Sequence, residues 1–141
     1  MSASLEETLN QIAQDFDLLG DWEARFEHIL TLAKTLAPLN DSDRTDDTRV
    51  RGCASQVWLV PEWRDQRLYF RGDSDAHLVK GLLALMLEIY SGRTPQEIFA
   101  AKPAEVFARL GLSGVLTPQR SNGLAALAEK IQTIARAHAT P

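Results

Sequence analysis

The run Leu82-Leu83-Ala84-Leu85-Met86-Leu87 most restricts the folds open to this chain, because the helical pattern around it is apolar on far more than one stripe. Leu78, Val79, Leu82, Leu83, Leu85, Met86 and Ile89 recur at helical spacing. So wide an apolar face must be covered from several sides, and the spacing predicts a central buried helix over 78–89 with the other elements packed around it. The run stops at Glu88, well short of the roughly 20 apolar residues that cross a bilayer, so no membrane span is expected.

The flanks supply the cover. Leu5, Leu9, Ile12, Ala13, Phe16 and Leu19 form one helix face that Gly20 closes. Asp21 offers an N-cap for a second helix over 22–37, carrying Trp22, Phe26, Ile29, Leu30, Ala33 and Leu36 and stopped by Pro38. Residues 56–63 and 66–71 are rich in strand formers and read as a hairpin turning at Arg64-Asp65, with Pro61 marking an edge or a bulge. Gly72-Asp73-Ser74 is expected to end the second strand and cap the central helix. After it, Thr94-Pro95-Gln96-Glu97 spells a capping box. Pro103 opens a short helix through Val106, Phe107 and Leu110, and Thr117-Pro118 starts a last one with Leu124, Leu127, Ala128, Ile131, Ile134 and Ala135 on one face. Two helices, a small antiparallel sheet and several more helices make an α+β protein. Its 141 residues suit a single domain over 1–141.

A net charge of -4 argues against a general nucleic-acid binder, which needs a basic face. The amino terminus shows no basic segment followed by an apolar run, and a single cysteine allows no internal disulfide, so a reducing cytoplasmic setting is expected. That cysteine, Cys53, lies where a polar stretch at 38–52 gives way to strand formers, which places it on a loop leading into a strand. A connection that long is usually functional or disordered. Read from the residues alone, Cys53 is either a reactive thiol or the small buried hydrophobe that most free cysteines are. An ordinary thiol, pKa about 8.5, reaches near a quarter thiolate at pH 7 if its pKa falls by about one unit. Arg49, Arg51 and loop N–H groups could supply that shift if they turn toward the sulfur. Gly52 serves equally as a turn glycine or as room for a partner's close approach.

Other chemistries lack parts. A cysteine hydrolase needs a histidine, and His28, His77 and His138 lie on predicted helices without a local signature linking them to Cys53. One cysteine cannot make a zinc or iron–sulfur site, so no metal is expected. Gly72-Asp73-Ser74-Asp75 lacks the ligand spacing of a calcium loop and the lysine of a phosphate loop, and reads as a turn with capping acids. Trp22 and Trp58 read as core.

Five blocks in order carry a resemblance: Trp22-Glu23-Ala24-Arg25, Gly52-Cys53-Ala54-Ser55-Gln56-Val57-Trp58, Gly72-Asp73-Ser74-Asp75-Ala76, Val79-Lys80-Gly81-Leu82 and Arg120-Ser121-Asn122-Gly123-Leu124. Together they closely resemble the SufE family of sulfur acceptors over nearly the whole chain, with the cysteine block closer to SufE than to the related CsdE branch. The resemblance implies a SufE/IscU-like α+β fold, a small antiparallel sheet flanked by several helices. It also implies a persulfide carrier. A PLP-dependent cysteine desulfurase of the SufS or CsdA type would pass sulfur to Cys53, and the resulting persulfide would go on to a SufB-like iron–sulfur assembly scaffold. The PLP belongs to the desulfurase, and this chain is expected to hold no cofactor of its own. Arg49, Arg51, Gly52, Asp73, Asp75 and Arg120 become candidates for partner binding or loop support, and the protein a monomer or weak homodimer. The cysteine loop would rest against apolar surface until docking. The competing reading is a non-catalytic docking module that modulates a partner enzyme with Cys53 inert, and a peroxide-sensing thiol is a third.

Overall fold

The computed structural model describes residues 4–112 and 114–139. Helices α1 (Leu5–Leu19) and α2 (Trp22–Leu32) precede an antiparallel hairpin of β1 (Val57–Arg64) and β2 (Arg67–Ser74), followed by α3 (His77–Tyr90), α4 (Pro95–Ala100), α5 (Pro103–Arg109) and α6 (Pro118–Ala139). This is the α+β order read from the sequence.

α3 is the central helix. Residues 81–87, Ile89 and Tyr90 are all buried, and only Glu88 interrupts the run with an exposed side chain. β2 lies against it on one side, α2 on another and α6 on a third. Gly81 sets the α2 contact, since a Cβ there would overlap the Ile29 carbonyl oxygen and stand 2.9 Å from its carbon. Two buried polar bonds tie the end of α4 to its neighbours, one from α3 and one from α6. The Tyr90 hydroxyl donates to the Ala101 carbonyl at 2.6 Å, and the Gln132 amide donates to the Ile98 carbonyl at 2.9 Å.

The hairpin pairs Val57 with Ser74 through Arg64 with Arg67. Its turn residues, Asp65 and Gln66, both have positive φ, 53° and 68°, which matches the right-handed twist of the strands. Val57, Leu59, Leu68 and Phe70 face the core. Pro61 lies in β1 without a bulge. It faces the same edge as Leu59 but lies beyond the segment that pairs there, so its missing N–H breaks no ladder bond.

The capping box forms as read. Glu97 N–H donates to Thr94 Oγ1 and Thr94 N–H to Glu97 Oε1, each at 3.2 Å, while Glu97 Oε2 also accepts from Leu5 N–H at the start of α1. Three local expectations are corrected. α2 ends at Leu32 and tightens into a 3-10 turn at Ala33–Thr35 rather than running to 37, with the Thr35 hydroxyl bonded back to the Leu32 carbonyl. β2 runs through Ser74 rather than stopping at Arg71, and Ala76, not an acid, precedes α3, without a side-chain cap. Trp22 and Trp58 are half-buried at the margin of the core: Trp22 packs on Phe26 and Phe16, and Trp58 lies under the Arg44 guanidinium.

Gly81→Ala is expected to lower stability by about 3 kcal/mol, the upper range for overpacking, because the added methyl meets backbone that cannot swing away. A urea melt showing a loss under about 1 kcal/mol would mean that α2 and α3 separate more readily than this packing allows.

Candidate functional site

The polar stretch before Cys53 is not a free loop. Its end runs antiparallel to β1: Leu59 N–H donates to the Thr48 carbonyl at 2.7 Å, and Val50 N–H donates to the Val57 carbonyl at 2.8 Å. Val50 and Val57 are both buried, so the second bond closes a loop at 51–56 on two apolar anchors. Gly52, with φ of 88°, makes the turn that puts Cys53 near the tip. The downstream end is pinned as well. Gln56 N–H donates to the Asp75 carboxylate at 3.0 Å, and Asp75 N–H returns a bond to the Gln56 carbonyl at 3.2 Å.

The loop leans on α6. Its thiol donates to the Gly123 carbonyl at 3.4 Å, and a Cβ on Gly52 would lie 3.3 Å from Ala126 Cβ. Cys53 is half-buried and lines a cleft of about 540 Å³. Leu30, Val79, Leu82, Leu83, Leu124 and Leu127 give this cleft an apolar floor, while His77, Gln119 and Arg120 stand at its rim. Burial pushes the Cys53 thiol above its ordinary pKa, since the cleft disfavours the charged sulfur. Neither Arg49 nor Arg51 counters this, so at rest the sulfur is a protonated thiol rather than a thiolate activated by its arginine neighbours.

The other candidates separate into two groups. Asp73 and Asp75 act as ties. The Asp73 carboxylate receives Arg44 at 2.9 Å, Lys80 at 3.2 Å and Ser74 N–H at 2.8 Å, joining the turn near Asp43 to α3. Burial alone would raise its pKa, but these donors outweigh it and hold the group below the usual carboxylate range. Neither acid caps α3 as the turn reading expected, because both are engaged across the fold. The arginines are the second group. Arg25, Arg44, Arg64, Arg67, Arg71, Arg109 and Arg136 each reach a carboxylate. Among the described residues Arg49, Arg51 and Arg120 have no ion-pair partner, and all three belong to the Cys53 segment or the cleft rim. Arg51 and Arg120 are exposed.

Of the three histidines, only His77 shares the cleft with Cys53, and the thiol's hydrogen bond goes to Gly123 rather than to it. His28 meets the Phe16 ring edge-on and His138 stacks on Trp63. Sequence reasoning missed the track beneath the loop: Gly123, Ala126 and Lys130 share one α6 face at spacings of three and four, and Lys130 bonds the loop's upstream arm. α6 is rich in alanine, so small side chains at 123 and 126 did not stand out in the sequence. Among the described residues, no group of three or more His, Cys, Asp or Glu side chains could hold a metal ion, and no helix is long and apolar enough to cross a membrane.

Residues 10–135 of this chain match the family model described as SufE, Fe-S metabolism associated domain. The chain belongs to the SufE family. It is 44% identical over 138 residues to an uncharacterized SufE-like protein of Rhizobium etli, covering 94% of this chain and 92% of that protein. A SufE-like protein of Rhizobium meliloti is 40% identical, over 89% of this chain and 93% of its own length. The solution structure of a hypothetical protein from Thermus thermophilus shares the fold, with a TM-score of 0.78 at 22% identity over 95% of this chain and 97% of that one.

Two outcomes are expected. Iodoacetamide should modify Cys53 in the native protein more slowly than free cysteine, with a rate that climbs with pH through a midpoint above the ordinary thiol value of about 8.5; a midpoint below it would mean an activated resting thiol. For Asp73, the depressed carboxyl pKa contributes stability that is fully present above the unfolded value, about 3.9, and lost as pH falls through the lower folded value. Asp73→Asn should therefore be less stable than the parent at pH 7, with the gap narrowing below about pH 3 in chemical melts.

Proposed function

We propose that the protein is a persulfide carrier that accepts sulfur on Cys53 from a cysteine desulfurase, stimulates that enzyme and passes the sulfur to an iron–sulfur assembly scaffold. The observation that carries this reading is the placement of Cys53, a solitary thiol on a loop closed at its base and settled over an apolar cleft. Solitude suits a carrier, because a second thiol nearby would attack the persulfide, form a disulfide and release the sulfur as sulfide.

The transfer is an exchange at sulfur. The Cys53 thiolate attacks the outer sulfur of the desulfurase's cysteine persulfide, a new S–S bond forms to Cys53, and the desulfurase cysteine leaves as thiolate. No net oxidation occurs, since the sulfane sulfur moves without changing state. The half-buried thiol must lose its proton for this, and leaving the cleft for a more polar, donor-rich setting would lower its pKa. Removal of the persulfide product frees the desulfurase cysteine for another turnover, which accounts for stimulation. The scaffold reverses the roles, its own thiolate attacking the outer sulfur on Cys53.

Arg51 and Arg120, exposed and without internal carboxylates, are assigned to docking, with Arg49 alongside them. Such a surface on an acidic protein suits carboxylates around the partner's sulfur donor. The resting burial of the thiol favours one competing reading, a docking module in which Cys53 stays inert.

Incubation with a cysteine desulfurase, PLP and L-cysteine should add one sulfur atom to Cys53, seen by intact-mass spectrometry and abolished in Cys53→Ser. Full stimulation by Cys53→Ala would overturn the carrier reading in favour of the docking module. Charge reversal, Arg51→Glu with Arg120→Glu, should raise the half-saturating concentration for stimulation about tenfold at low salt, with the difference shrinking as salt screens it. An effect independent of salt would remove the electrostatic role.

A further inference from the structure

The loop that carries Cys53 is held at its base, at its downstream end, at the thiol itself and at its upstream arm, residues 47–49 just before the base, and only the last of these holds is a long side chain reaching across from another element. The base is a backbone bond between Val50 and Val57, and the downstream end is bonded to Asp75. The upstream arm is held by Lys130 of α6, whose ammonium donates to the Asp47 carbonyl at 2.9 Å and to the Arg49 carbonyl at 3.0 Å. Lys130 is half-buried and has no carboxylate within ion-pair distance among the described residues, so its charge is spent on these two carbonyls. The three residues of the α6 track thus meet the loop at successive points: Gly123 under the thiol, Ala126 under Gly52 and Lys130 under the arm.

We infer that Lys130 is a positioning residue which latches the Cys53 loop onto α6 and sets how often the thiol leaves its cleft. This rests on the carrier reading for its functional meaning, since a partner meets only the fraction of molecules whose thiol is out, and apparent affinity falls with that fraction. The two carbonyls can take water in place of the ammonium, and the long side chain can swing away, so the base of the loop can part from α6 while Thr48 and Val50 keep their bonds to β1. Arg51, beside the same arm, repels the ammonium, and Asp47 attracts it. Arg51 lies in the loop that would move, whereas Asp47 lies ahead of the Thr48–Val50 stretch paired with β1.

The test compares Lys130→Met, which keeps the apolar stem without the donors, with Lys130→Arg, which keeps both charge and donors. Native-state alkylation of Cys53 by iodoacetamide should be about fivefold faster in Lys130→Met, the worth of about one net hydrogen bond, and near the parent rate in Lys130→Arg. Rates unchanged by low urea separate loop release from global unfolding. In desulfurase stimulation, Lys130→Met should lower the half-saturating concentration while leaving the maximal rate unchanged. If Lys130→Met alkylates at the parent rate, or Lys130→Arg as fast as Lys130→Met, Lys130 does not position the thiol. Should Lys130→Met fold poorly, amide exchange at Gly52 and Cys53 in Lys130→Gln against the parent decides the same point, equal protection overturning the latch. The alkylation and exchange assays contain no desulfurase, so they stand or fall separately from sulfur transfer, which Cys53→Ser tests.

Discussion

The burial of α3 on nearly all sides is the constraint from which the rest of the architecture follows. A helix whose residues 81–87 are buried without a break cannot lie on a surface, and each neighbour takes one of its faces: β2, α2 and α6. The hairpin's side fixes the line of β1, β1 fixes where the Thr48–Val50 segment can pair, and that pairing fixes the base of the Cys53 loop. α6, on another side of the same helix, supplies the surface on which the loop rests. The cleft lies where these covers meet, floored in part by α3's own Val79, Leu82 and Leu83.

Polar ties make this geometry definite. Apolar contact alone leaves elements free to slide by small amounts, whereas Asp73 binds Arg44 from the turn before the loop and Lys80 from α3 with one carboxylate. Asp43 does similar work toward Arg71, whose hydrogen bond is the main reason its pKa lies below the usual carboxylate range. No buried side-chain nitrogen or oxygen among the described residues lacks a partner. The thiol is the exception in kind rather than in count: its single weak bond to Gly123 is the least costly of these contacts to give up.

What could be read in the sequence was what depends on near neighbours or on period. The central helix, the Thr94–Glu97 capping box and the hairpin are set by residues within a few positions of one another, and their patterns survive folding unchanged. The chain positions of the family's blocks also located Cys53. What could not be read depends on partners far apart in the chain. Asp73 and Arg44 are separated by 29 residues, and Lys130 and Arg49 by 81, so no local pattern announces either tie. Capping was the sensible local reading of Asp73 and Asp75, and the long-range donors prevailed over it. The thiol's environment was hidden for the same reason: the arginines beside Cys53 in sequence do not enter its electrostatics, whereas the cleft walls, brought in from α3 and α6, do.

The bond between Val50 and Val57 has a mechanical meaning. It makes the loop a short tether rather than a flexible arm, anchored in the sheet on both sides. Between Val50 and Cys53 there are only three peptide steps, so with the base closed the α-carbon of Cys53 can travel no further than about 10 Å from its anchor, at roughly 3.4 Å per residue. A longer stroke would require opening the sheet edge itself. Any molecule that exchanges atoms with this sulfur must therefore bring its reacting group almost to the surface of the hairpin, and the two bodies must fit closely around the point of exchange.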